Sequence, residues 1–270
     1  MVWFRCMRYG EAAIVLSAVL MGTVSVFVRN VGGDTLSVTF LRLFFGFLAV
    51  LPFCLRDVGR PDRTLLGLAV FNFLTVASYI AAIQSTEVAM AALLLYMAPV
   101  YVIPLSVLMG ERVEVKTLLA LPLGLIGLYL MLTPYAELTF GIIFGIVSGL
   151  SYAIVFVLSK EARKKHSPWR ITFYNLGLGS AALLPYFLMF GRVGSWLWAI
   201  GLGVVPTAVP FVLFSYGMKY VKVQRAPILA LIEPLCAGLV GYFYFGETLT
   251  LTQLIGGAMI LAGVLIAWRE

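Results

Sequence analysis

Long apolar runs, each close to twenty residues, divide this chain, and the loops between them are too short to hold a domain. A helix crossing a bilayer needs roughly 20 apolar residues. Lipid offers no water to an open backbone, so only helices or closed barrels can span it. The runs predict ten helices, at approximately 10–29, 36–55, 64–84, 88–109, 114–133, 139–159, 169–190, 195–218, 226–245 and 250–268. Composition agrees. Hydrophobic residues make up 62% and charged residues 11% of the 270, against about 45–50% and about 25% in soluble domains. The expectation is an all-α integral membrane protein without a separate soluble domain.

The charges that remain are patterned. The chain carries a net charge of +7, but its basic residues cluster at the ends of apolar runs rather than along one nucleic-acid-binding stripe. With a cytoplasmic N-terminus, sixteen of the 19 Lys and Arg fall in cytoplasmic segments; Arg29 and Arg192 fall outside, and Arg42 lies within a span. Such an excess sets orientation in membrane proteins. It predicts both termini in the cytoplasm of a cell-membrane protein with an even number of spans. Arg5 and Arg8 precede a first run longer than the roughly 7–15 residues of a signal peptide's apolar core, so that run reads as a span; Met7 is an alternative start. Cys6, Cys54 and Cys236 are far apart. They indicate neither a disulfide framework nor a zinc site, and no cofactor or metal is expected.

A second pattern repeats within the chain. Pro99 is followed by Gly110-Glu111, and Pro234 by Gly246-Glu247. Thr39-Phe40-Leu41-Arg42 with Pro52 matches Thr172-Phe173-Tyr174-Asn175 with Pro185, and Gly127 matches Gly263. These offsets of 133 to 136 residues divide the chain into units 1–134 and 135–270, each with five spans. An odd number of spans makes the second unit enter the membrane the opposite way up. Inverted repeats of this kind belong to secondary transporters, with the substrate site near the midplane. Pro99, Pro104, Pro122, Pro185, Pro206, Pro210 and Pro234 fall inside spans, where each removes a backbone hydrogen bond. Gly141, Gly145 and Gly149 read as a close helix-packing face.

Glu233-Pro234, Gly246-Glu247-Thr248-Leu249-Thr250, Gln253-Leu254-Ile255-Gly256 and Ile260-Leu261-Ala262-Gly263-Val264 carry a resemblance to the drug/metabolite transporter superfamily, and within it to EamA-type permeases. The first half is a paler copy, with Pro99, Gly110-Glu111-Arg112-Val113, Gly124 and Gly127; Thr117 and Ala120 stand where the second half has its Gln-x-Ile-Gly step. The resemblance covers essentially the whole chain. It implies two inverted five-helix repeats around a central cavity, moving amino acids, other small metabolites or toxic compounds, often outward. Sugar-phosphate and nucleotide-sugar carriers share the superfamily, so membership does not set the substrate.

Ionisable residues inside a span are rare and point to function by default. Arg42 and Glu233 are the two clear cases. They either pair with each other, against which their separate depths argue mildly, or serve a cavity. A carboxylate there can take up a proton during a transport cycle, which makes a coupling proton a candidate partner. For Arg42, anion recognition stands beside snorkelling. Asn72, Thr75 and Tyr79 share one helix face; Tyr96, Tyr152 and Asn175 are further polar groups inside spans. Each of these is a candidate for substrate contact and also for ordinary interhelical bonding. Glu111 and Glu247 read as caps of the helices that follow, and the Lys160–Lys165 cluster as setting orientation and touching lipid.

The leading function is a secondary transporter that exports a small polar metabolite, with an amino acid first. A phosphorylated sugar would call for more cations than one Arg. No nucleotide-binding signature is present, no HExxH occurs, and His166 and the aspartates lie outside the spans, so no catalytic set assembles. A channel remains the alternative from another class, separable by saturable exchange in vesicles.

Overall fold

The computed structural model describes residues 2–55, 57, 59–132 and 140–268, with side chains from Tyr9 onward. The side chains of Arg5, Cys6, Met7 and Arg8, the residues Arg56 and Arg269, and the expected boundary at 134/135 lie outside the described residues. Among the described residues ten helices are long and apolar enough to cross a membrane: α1 Tyr9–Val31, α2 Thr35–Cys54, α3 Arg63–Ser85, α4 Val88–Leu108, α5 Val115–Leu132, α6 Phe140–Ala162, α7 Pro168–Phe190, α8 Trp196–Met218, α9 Ala226–Phe245 and α10 Leu251–Trp268. Each end falls within three residues of its expected place. Successive loops alternate between two faces, called here by Arg225 and by Glu247.

The main contacts come in matched pairs. Helix α3 packs on α6 as α8 packs on α1, α4 on α6 as α9 on α1, α3 on α7 as α8 on α2, and α4 on α5 as α9 on α10. The α2–α7 and α5–α10 contacts are each their own counterpart, so this set is unchanged when the first five helices are exchanged with the last five. Glycine sets the closeness of several crossings. Gly141, Gly145 and Gly149 bring α6 against Ser85, Thr86 and Leu94, the packing face expected of them.

Prolines act unequally. Pro99 and Pro234 follow breaks at Met97 in α4 and Leu231 in α9, and Pro206 lies in a π-turn, Val204–Ala208, in α8. Pro104, Pro122 and Pro185 sit inside continuous helical stretches. The difference is local: a helix can absorb one missing N–H and a small bend where its neighbours re-satisfy the freed carbonyl.

Loops are fixed by caps. Asp34 accepts from the amides of Leu36 and Ser37 at 3.1 and 3.0 Å at the start of α2. Asp62 accepts from Leu65 N at 2.9 Å at the start of α3, and its other oxygen meets His166 Nε2 at 2.9 Å across the Arg225 face. Burial raises the Asp62 pKa, but the Leu65 amide and His166 outweigh it and hold the carboxyl below its ordinary value. A depressed carboxyl stabilises the fold above the ordinary aspartate pKa, and that contribution is lost as pH falls through the folded value. Asp62→Ala is therefore expected to cost about 1 kcal/mol at neutral pH. Thermal melts of the two proteins should converge as the medium is acidified below the ordinary aspartate range.

Candidate functional site

Broken helices position the site. Pro234 has no N–H to give the carbonyl of Ala230, and the break at Leu231 sets Glu233 in the first turn of the second half of α9. The backbone there is held tightly by α1: a Cβ on Gly22 would lie 2.5 Å from Cys236 Cβ and 2.9 Å from the Glu233 carbonyl oxygen. The matching break in α4 places Tyr96 at the end of that helix's first half.

Arg42 is anchored from the other repeat. Pro206 cannot donate to the carbonyl of Leu202, four residues back. The Thr207 hydroxyl donates to that carbonyl instead, at 2.7 Å, and in turn accepts from Arg42 Nε at 2.9 Å. Composition pointed to Arg42 but not to its partner, although the Pro206/Pro210 spacing was the available signal. No direct ion pair joins Arg42 and Glu233 among the described residues, so the first of the two sequence readings gives way to a looser charge coupling.

Glu233 interacts with Arg42 through charge and with Tyr96 side chain to side chain; Tyr79 and Tyr152 lie within its electrostatic reach. All five side chains are partly buried and partly accessible. Tyr79 and Tyr96 line a cavity of about 360 Å³ with Ala92, Pro234, Glu247 and Gln253 among others; Arg42, Tyr152 and Glu233 are not among its lining residues, and Glu233 adjoins it through Pro234. It runs from the break in α9 to the α9–α10 loop. The structure thus gathers Glu233, Arg42, Tyr79, Tyr96 and Tyr152. Asn72 and Asn175 are buried and do not line this cavity, and Asn175 Oδ1 has no hydrogen-bond partner.

Three loop readings need correction. Glu111 does not cap α5: its carboxylate accepts from Val223 N of the second half at 3.1 and 3.2 Å. Glu247 pairs with Arg29 at 2.8 Å. Lys160 and Arg163 turn inward rather than to lipid, with Lys160 donating to the carbonyls of Lys219 and Val221 and Arg163 to that of Ser215. Each basic head binds carbonyls left open at or just past the end of α8.

A solved crystal structure aligns over 96% of each chain with a TM-score of 0.85 at 18% identity, and so shares the fold. The uncharacterized transporter YxxF of Bacillus subtilis (strain 168) is 25% identical over 93% of this chain and 86% of its own. An uncharacterized inner membrane transporter, YicL, of Salmonella typhimurium is 23% identical over 96% and 95%. An S-adenosylmethionine uptake transporter of Rickettsia prowazekii is 24% identical over 84% and 81%. The model of the EamA-like transporter family matches twice, at residues 8–133 and 139–269. Ten membrane-spanning helices and two family matches covering nearly the whole chain have one meaning: it belongs to the EamA-like transporter family, as a multi-pass transporter of the drug/metabolite type.

Proposed function

We propose that this protein is a secondary transporter that exports a small polar metabolite, an amino acid or a close relative, by rocking two inverted five-helix repeats around the Glu233 cavity. Units 1–134 and 135–270 are the two repeats, both termini are cytoplasmic, and the Arg225 face is the cytoplasmic one of a cell membrane. The double family match, the exchange-symmetric contacts and the sixteen-to-two distribution of basic residues support this arrangement.

One observation carries the substrate class: a carboxylate and a guanidinium, not locked to each other, are coupled electrostatically to three tyrosines, two of which, Tyr79 and Tyr96, line the adjoining cavity. A zwitterion brings an ammonium group for Glu233 and the tyrosine faces, and a carboxylate for Arg42. A sugar phosphate would find one cation, Arg42, already beside the Glu233 carboxylate and another, Arg29, already paired with Glu247. The relative named for S-adenosylmethionine uptake also takes an amino-acid-like compound. Asn175 stands at the position matching Arg42 and Asn72 at the position matching Thr207, as neutral polar groups of the same site, and Glu233 carries the coupling proton when no substrate ammonium is present.

Thermal stability of the purified protein against amino acids, sugar phosphates, nucleotides and drugs tests this reading. A ligand at about a hundred times its Kd stabilises the native state by about 2.7 kcal/mol. The expected hits are amino acids or their derivatives, lost in Arg42→Gln while the unliganded melt stays cooperative. Hits confined to sugar phosphates or nucleotides would overturn the substrate class, and hits untouched by Arg42→Gln would remove Arg42 from the site.

A further inference from the structure

The two faces differ at one place where exchange symmetry would make them alike. At the Arg225 face the α4–α5 loop is joined to the α8–α9 loop. Glu114 binds both Lys222 and Arg225, and Arg225 Nη1 also meets Glu11 of α1 at 3.3 Å. Glu111 accepts from Val223 N, Gln224 Nε2 donates to the Arg112 carbonyl at 2.9 Å, and the Glu114 amide donates to Gln224 Oε1 at 3.2 Å. The Arg225 and Glu11 side chains are 5% and 4% exposed. From Val221 to Leu231 every residue except Lys222 is buried.

The charges also sort by repeat. Glu11, Glu111 and Glu114 come from the first half; Lys222 and Arg225 come from the second. Burial works against the Glu114 charge, yet its hydrogen bonds to Lys222 and Arg225 hold the carboxyl below the ordinary range.

At the Glu247 face the counterpart of this seam is open. The α9–α10 loop borders the cavity instead of the α3–α4 loop, and the last turn of α9 leaves Tyr242, Phe243 and Tyr244 exposed. Glu247, the counterpart of Glu111, is half exposed and holds only Arg29 and its own loop. Val223, the residue whose amide Glu111 holds, corresponds at an offset of 135 to Val88, at the start of α4 and 57% exposed. The other links between halves occur at both faces: Asp62 with His166 at one, Asp34 with Tyr186 at 3.0 Å at the other.

We infer that the seam between residues 111–114 and 222–225 is the gate that closes the cavity at the Arg225 face, and that the opposite state replaces it with its mirror, Glu247 on the amide of Val88. Opposed charges on the two halves hold one state without blocking the other, because each pair can be exchanged for water when the seam parts. Glu11 and Arg225 lie deepest and mark the point where the halves must separate. The inference rests on the alternating-access reading above.

The test needs no substrate. Ala237→Cys, on the cavity wall, is placed in a chain whose three native cysteines are serine, and an impermeant maleimide is applied to one face at a time of sealed vesicles. The parent should label from the Glu247 face. Glu114→Gln, which leaves Arg225 its contact with Glu11, should shift the ratio of labelling toward the Arg225 face by at least about tenfold, since it removes the charge from two contacts, to Lys222 and Arg225, in a two-state equilibrium. Lys222→Gln, at the exposed end of the seam, should shift it the same way by less, and covers the case of a Glu114 variant that fails to fold. Labelling of folded variants from the Glu247 face alone, at the parent rate, would overturn the gate and leave the cavity standing. Labelling of the parent from neither face would overturn the cavity and the gate with it.

Discussion

Glu233→Gln is expected to reduce proton-driven accumulation of substrate in proteoliposomes by roughly a hundredfold, equivalent to about 2.7 kcal/mol, while exchange at equal pH survives. Gln fills nearly the same volume and still hydrogen-bonds Tyr96, so the cavity keeps its shape. What it loses is the proton and the negative charge opposite Arg42. A hydrogen bond to a charged group contributes about 1.5–3 kcal/mol; the Tyr96 contact loses that charge, and the Arg42 guanidinium loses the carboxylate near it while keeping its bond to Thr207. In the proposed cycle, net transport requires the empty carrier to return, with Glu233 protonated when no ammonium occupies the site. Exchange never requires the empty carrier to return, so it persists in the amide, at a raised KM because the substrate ammonium loses its carboxylate. If Glu233 only stitches α9 to α4, the isosteric amide should keep both modes within about twofold, because removing charge from a structural hydrogen bond costs little beyond the bond itself. The measurement is uptake of the compound found by thermal shift, with and without an imposed pH gradient.

The ten spans were legible because hydropathy is local: each run reports its own burial in lipid, and nothing distant changes the answer. Arg42 and Glu233 were legible for the same reason, since a charge inside a span stands out against its neighbours. The Arg225 seam was not. Glu11, Glu114, Gln224 and Arg225 lie at span ends, where charges also set orientation, and only the fold brings residues 11, 114 and 225 together. The anchor of Arg42 was hidden differently. Thr207 matters because Pro206 strands the Leu202 carbonyl, a consequence visible once the helix is built. The repeat offsets set Asn175 opposite Arg42 and Asn72 opposite Thr207, at 133 and 135 residues. The charged member of the set, Arg42, thus lies in the first half and its neutral counterpart, Asn175, in the second.

Gly256→Ala is expected to destabilise the protein by about 1–3 kcal/mol, and a larger side chain there by more. Helices α5 and α10 cross backbone to backbone. A Cβ on Gly256 would lie 2.5 Å from the Gly127 carbonyl oxygen and 2.7 Å from Met131 N, and one on Gly127 would lie 2.6 Å from the Gly256 carbonyl oxygen. Neither backbone can move aside without tilting a whole helix. Gly257 is the internal control. Its added Cβ would meet only the end of the Leu235 side chain, at 2.8 Å, which a rotamer change can clear. Gly257→Ala should therefore melt close to the parent and Gly256→Ala well below it, in the same detergent. The counterpart crossing, Gly263 against Ala120 O at 3.1 Å and Gly124 N at 3.2 Å, is looser, so Gly263→Ala should fall between them. Melting of all three variants at the parent temperature would refute a rigid crossing. The consequence reaches function because α5–α10 joins the two halves and is its own counterpart under their exchange. Rocking of the repeats needs a contact that holds while the seams at either face open and close. A crossing of bare backbones gives that contact its tightest form, and a methyl group at Gly256 should disturb the pivot before it disturbs the cavity.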